Sequence, residues 1–89
     1  MRILVTGAAG FIGSYIVKAI FRQFDDPKVV GIDNMNDYYD VRLKEARLSE
    51  LGGYPEFTFI KGSIADKVLV NRLFDDFRPQ VVINMAAQT

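Results

Sequence analysis

Two hydrophobic rhythms alternate along the chain. Short, continuous apolar runs at Ile3 to Thr6, Lys28 to Ile32, Phe57 to Ile60 and Val81 to Met85 predict buried strands. The segments between them are spaced for helices. From Phe11 to Phe24, the residues Ile12, Tyr15, Ile16, Ala19, Ile20 and Phe24 fall on one helical face. Pro27 ends that helix, because it disfavours helical geometry at the residue before it. Asp33 to Asp40 is a polar loop rich in Asn and Asp, and Val41 to Leu51 predicts a second helix ended by Gly52-Gly53. A third helix has Asp66 as its N-cap and Leu69, Val70, Leu73, Phe74 and Phe77 as its apolar face, with Pro79 closing it.

The resulting order is βαβαβαβ. Strands alternating with helices imply a parallel sheet with right-handed crossovers, and continuously apolar strands imply that both sheet faces are covered. The expected fold is a three-layer α/β/α arrangement of four parallel strands in the order 3-2-1-4. The chain stops at Thr89, directly after the fourth strand, with no helix to cover it and no further strands. The expectation is therefore an incomplete domain, too short to be a complete enzyme; a natural minimal domain is the alternative. An uncovered apolar strand is a ready pairing site, so a homo-oligomer formed through Val81 to Met85 is expected.

Eleven Lys and Arg balance eleven Asp and Glu, giving zero formal net charge. That balance makes no case for nucleic acid or an anionic membrane as partner, since either calls for a basic patch. It also gives little electrostatic protection against self-association. There is no cysteine and no histidine. Disulfides, thiolate chemistry, Cys/His zinc sites and a Ser-His-Asp triad are excluded, and no metal site is expected. The N-terminus opens straight into a strand pattern and does not read as a signal peptide. No apolar run approaches the ~20 residues of a membrane span. A chain without cysteine is compatible with a cytoplasmic location.

The chemistry sits in Thr6-Gly7-Ala8-Ala9-Gly10-Phe11-Ile12-Gly13, three glycines at spacing three between a strand and a helix. In that context the motif reads as a dinucleotide fingerprint, with a Gly-rich strand-to-helix turn that holds no ligand as the alternative, and the fold reading sharpens to the first half of a Rossmann-like domain. Gly7 lets the chain turn out of the strand, Gly10 lets backbone approach a pyrophosphate, and Gly13 lets the helix pack tightly on the sheet. The helix N-terminus offers N–H groups and partial positive charge to the phosphates. Asp33 ends the second strand, 20 residues after Gly13. A carboxylate there can accept hydrogen bonds from the adenosine ribose and would repel a 2′-phosphate, which favours NAD over NADP. The alternative for Asp33 is a simple Asx turn at the start of the loop.

Together with Gly31-Ile32-Asp33-Asn34 and Asn36-Asp37-Tyr38-Tyr39-Asp40, this motif resembles the start of an extended short-chain dehydrogenase/reductase. Within that family the resemblance is to the NAD-dependent nucleotide-sugar epimerases and dehydratases, and most closely to the UDP-glucuronate 4-epimerases; Asn36 to Leu48 carries the narrower likeness. All 89 residues take part, yet they span only about the first quarter of a typical member. The resemblance implies that Gly7, Gly10, Phe11, Ile12 and Gly13 line the pyrophosphate of NAD, with Asp33 on the ribose and Asn34 close by. It implies that Ile64 packs on the adenine, that Ser63 meets its amino edge, and that Ala86 and Ala87 lie near the middle of the cofactor. It further implies a parent enzyme that oxidises a sugar C4 hydroxyl with NAD, lets the 4-keto sugar reorient and returns the hydride. A nucleotide-sugar 4,6-dehydratase or related reductase is the alternative parent.

Two residues depart from the family pattern. Ser63 stands where an Asp is usual, which weakens an acceptor for the adenine amino group, and Asn84 stands where His is frequent. The family's Tyr-x-x-x-Lys pair is absent; Tyr38 is followed four positions on by Arg42, and Tyr39 by Leu43. No catalytic residue is therefore assigned, and by itself the chain reads as a non-catalytic dinucleotide-binding or self-associating module. Its parent's further partner would be a nucleotide sugar.

The remaining polar clusters carry blander expectations. Arg42, Lys44, Glu45, Arg47 and Glu50 read as the solvated face of the second helix, with local ion pairs of ~0.2–0.5 kcal/mol each. Asp75 and Asp76 are adjacent, point in different directions on a helix, and read as surface. Phe57 and Phe59 flank Thr58 and share one sheet face.

Overall fold

Each apolar run forms a strand. In a computed structural model, which describes residues 1–35 and 41–85, the elements in chain order are β1 (Arg2–Thr6), α1 (Phe11–Gln23), β2 (Lys28–Asp33), α2 (Val41–Leu51), β3 (Phe57–Lys61), α3 (Lys67–Asp76) and β4 (Val81–Asn84). The strands make one parallel sheet in the order β3-β2-β1-β4, as the alternation predicts. Among the described residues no helix is long and apolar enough to cross a membrane.

Strand alternation divides the core into two. Ile3 and Val5 of β1 and Val29 of β2 face one side, where they meet Val17 and Ile20 of α1 and Leu51 of α2. Leu4, Val30 and Ile32 face the other side and meet Leu73 of α3. Fully burying an aliphatic side chain of this size contributes ~1.5–3 kcal/mol, so β1, apolar on both faces, anchors the domain. Phe57 packs against the first cluster, where Phe21 of α1 also stacks on Tyr54 with ring centroids 4.6 Å apart.

The apolar face of α1 differs from the one its spacing suggests. The buried positions are Gly13, Ser14, Val17 and Ile20, whereas Ile12, Tyr15 and Phe24 are exposed. The rotation is set by Gly13, which must face the backbone of the preceding turn; that contact swings Ile12 and Tyr15 outward. α3 follows its pattern more closely. Asp66 caps it, its Oδ1 accepting from the Leu69 N–H at 3.1 Å. Leu73 is buried and Leu69 and Phe77 pack beside it, while Phe74 stays exposed.

Candidate functional site

The C-terminal ends of β1 and β2 meet at the glycine turn. The N–H groups of Gly7 and Ala8 both donate to the Ile32 carbonyl, at 2.8 and 3.3 Å, which draws the loop over β2. Gly7 has φ 68°, a conformation that costs glycine little. The Gly10 N–H donates to the Gly7 carbonyl at 3.0 Å. A Cβ on Gly13 would lie 2.0 Å from that same carbonyl oxygen, so nothing larger than hydrogen fits there. Gly10 is the N-cap of α1 and supplies no side chain to it. The first-turn N–H groups of a helix have no intrahelical partner, and here they sit beside exposed Phe11 and Ile12. Such a turn is chemically suited to an anion.

Asp33 stands directly beside this turn and is buried. Its Oδ2 accepts from the Ala9 N–H at 3.1 Å, and its Oδ1 accepts from the Met35 N–H at 2.8 Å and from Lys44 Nζ at 2.9 Å. The Asx turn is therefore present, and the same carboxylate also ties β2 to the glycine loop. Asn34 follows it and is exposed.

The reading of α2 as a solvated charged face needs correction. Lys44 is buried against Asp33. One turn on, Arg47 donates from Nη1 to the Ala9 carbonyl at 3.3 Å, and its guanidinium lies 5.7 Å from the centre of the Phe11 ring. Both cations thus turn toward the glycine loop. Glu50 is exposed but bonds Lys18 of α1, an ion pair between helices rather than within one. The hydrogen bond from Lys18, and then its charge, hold the Glu50 carboxyl below its ordinary value of 4.5. Sequence periodicity missed Lys44 because a long amphipathic side chain can be buried by its partner without any apolar signal. The one cue was the spacing of Lys44 and Arg47, which places two cations on the same helix face.

Gly31 was also missed. A Cβ there would lie 2.6 Å from the Ala8 Cβ, so the glycine in β2 makes room for the loop. Its signal was a lone glycine inside a strand, which often marks a close backbone approach.

The loop after β3 joins the same end of the sheet, the Gly62 N–H donating to the Asp33 carbonyl at 3.0 Å. Ser63 Oγ accepts from the Ala65 N–H at 3.0 Å, closing a local turn. Ile64 is 40% exposed and presents apolar surface. Asn84 of β4 lies in register with Thr6, whose hydroxyl donates to Asn84 Oδ1 and accepts from the Met85 N–H at 3.0 Å. Ala86, Ala87, Tyr38 and Tyr39 lie outside the described residues. Among the described residues no group of three His, Cys, Asp or Glu could hold a metal.

Known proteins are similar to this chain in sequence and in fold. The family model described as GDP-mannose 4,6 dehydratase matches residues 4–89. Protein CapI of Staphylococcus aureus is 46% identical over 88 residues, which is 99% of this chain and 25% of that protein. The dTDP-glucose 4,6-dehydratase of Bacillus anthracis, solved in complex with NAD, matches with TM-score 0.85 at 30% identity, over 99% of this chain and 27% of its own. The UDP-glucuronic acid 4-epimerase of Bacillus cereus, solved with UDP-glucuronic acid and NAD, matches with TM-score 0.83 at 38% identity, over 98% of this chain and 26% of its own. The chain spans about a quarter of the length of each of these relatives. Fold, glycine turn and family match agree, and the chain belongs to the GDP-mannose 4,6 dehydratase family of extended short-chain dehydrogenases/reductases.

Proposed function

We propose that this chain is the NAD-binding portion of a nucleotide-sugar 4-epimerase. The observation that carries the reading is the bond from the Ala9 N–H to Asp33 Oδ2, which locks a carboxylate beside an uncapped helix N-terminus. Phosphates suit the helix end and ribose hydroxyls suit the carboxylate. The residues fit such a ligand: a Cβ at Gly10 would stand 3.2 Å from the Gly7 carbonyl oxygen and narrow the cradle. In the proposed site Gly7, Gly10, Phe11, Ile12 and Gly13 receive the pyrophosphate, Asp33 and Asn34 the ribose, and Ser63 and Ile64 the adenine, with Ala86 and Ala87 toward the middle of the cofactor. NAD, when bound, supplies hydride acceptance at the sugar C4. The protein's part is binding and orientation. No Tyr-x-x-x-Lys pair is present, so the chain alone is expected to bind without turnover.

The 4-epimerase reading draws support from the higher identity to the UDP-glucuronic acid 4-epimerase, 38% against 30% for the 4,6-dehydratase. The dehydratase reading is the alternative, supported by the family description. Incubating the whole protein that contains this chain with UDP-glucuronate and with dTDP-glucose separates them. Appearance of the C4 epimer supports the first reading. Loss of water from the nucleotide-glucose supports the second. Neither product with either substrate overturns both.

A further inference from the structure

We propose that Lys44 is a specificity-determining residue of the adenosine-ribose site, and that the site is selective for an unphosphorylated ribose only while Asp33 neutralises Lys44. The inference rests on the dinucleotide reading above and adds a second residue to it. Lys44 is buried, and its ammonium lies 2.9 Å from Asp33 Oδ1. The Ala9 N–H fixes Oδ2 of the same carboxylate. A ribose hydroxyl approaching Asp33 would meet a carboxylate whose Oδ2 is bonded to the Ala9 N–H and whose Oδ1 is bonded to the Lys44 ammonium, and a hydroxyl can both donate and accept. A 2′-phosphate needs donors and positive charge, yet it meets an ammonium already neutralised by a carboxylate. The selectivity is therefore the repulsive element of a built-in pair.

Neutralising the carboxylate changes what the cation does. Lys44 then keeps its charge next to residue 33, uncompensated by a carboxylate there. Arg47 stands one turn further along α2, bonded to the neutral Ala9 carbonyl and stacked over Phe11. Two cations on one helix face, beside a glycine turn, are the equipment of a 2′-phosphate site.

The test compares calorimetric titrations of the full chain with NAD and NADP for the wild type, Asp33→Asn, Lys44→Met and the double variant D33N/K44M. Wild type is expected to favour NAD. In D33N the preference is expected to move toward NADP by about tenfold more than in D33N/K44M, the scale of one well-placed charged contact. An equal shift with and without Lys44 means that only repulsion was relieved, and overturns the inference while leaving the dinucleotide reading intact. No binding of either nucleotide by the wild type overturns the dinucleotide reading and the inference with it. Should circular dichroism show that D33N does not fold, the decision falls to the single variants. K44M is expected to widen the advantage of NAD about tenfold, because Asp33 then stands alone, and Lys44→Arg to leave it unchanged. An unchanged advantage in K44M overturns the inference.

Discussion

Gly13 faces the carbonyl of Gly7 so closely that a Cβ on Gly13 would lie 2.0 Å from its oxygen. The contact joins the first turn of α1 to the turn that leaves β1, and it fixes which way α1 is rotated. Gly13→Ala forces backbone against backbone, with no flexible side chain to yield. The expected cost is about 3 kcal/mol or more, the upper end for overpacking, read as a fall in the urea midpoint at constant slope. A change below about 0.5 kcal/mol, typical of ordinary surface substitutions, would mean the turn is not so tightly closed.

Gly10→Ala separates folding from binding. Its Cβ would stand 3.2 Å from the Gly7 oxygen, a distance that a small shift of the loop can relieve. The stability change is expected to be small, because Gly10 at φ −71° has a backbone that alanine adopts freely, while affinity for NAD falls about tenfold or more because the cradle is narrowed. Wild-type affinity in a folded G10A variant would remove Gly10 from the pyrophosphate site.

Lys44 and Asp33 form a buried pair whose two halves depend on one another. Lys44→Met keeps the length of the side chain but leaves a buried carboxylate with two N–H donors and no cation. The expected loss is about 3 kcal/mol, the lower end for breaking one half of such a pair. D33N/K44M, which removes both charges, is expected to recover part of that loss by chemical denaturation. Additive losses in the double variant would show that the two residues are not coupled.

Much of the fold was legible because strand and helix periods differ and glycine and proline punctuate them. The strand order followed from β1 lying between its two crossovers, and Asp66 signalled its helix cap. The glycine turn was legible because Gly7 and Gly13 occupy positions that admit few residue types, and Asp33 because a carboxylate closes the strand beside that turn. What the sequence concealed depends on tertiary contact. The rotation of α1 is set by Gly13 against Gly7, not by the hydrophobicity of Ile12 and Tyr15. The burial of Lys44 is set by a carboxylate eleven positions away, and within α2 only its spacing from Arg47 hints at it.

The Lys18–Glu50 pair gives a pH signature. The Glu50 carboxyl is held below 4.5 by Lys18. A lowered carboxylate pKa means that the folded state binds fewer protons than the unfolded one. The contribution of the pair is thus present above about pH 4.5 and is lost as pH falls through the lowered value. Lys18→Met is expected to return the Glu50 pKa to its ordinary range, followed by NMR titration, and added salt to do so partially. An unmoved Glu50 in that variant would assign the shift to another cause.

β4 pairs only with β1 among the described residues, and Val81 and Val82 are 38% and 47% exposed. Self-association through this edge is the expected behaviour of the chain. Light scattering should report a species larger than the monomer, and Val82→Lys should shift it toward the monomer. A monomer across a wide concentration range would exclude β4 as a pairing edge.

The most direct measurement is calorimetric titration of the chain with NAD, ADP-ribose and NADP. The glycine turn and Asp33 are proposed to hold the ADP half of the dinucleotide, so NAD and ADP-ribose should bind with similar affinity and NADP at least tenfold more weakly. Equal binding of NADP, or no binding of any of the three, would contradict the assignment of this turn and carboxylate as a NAD site.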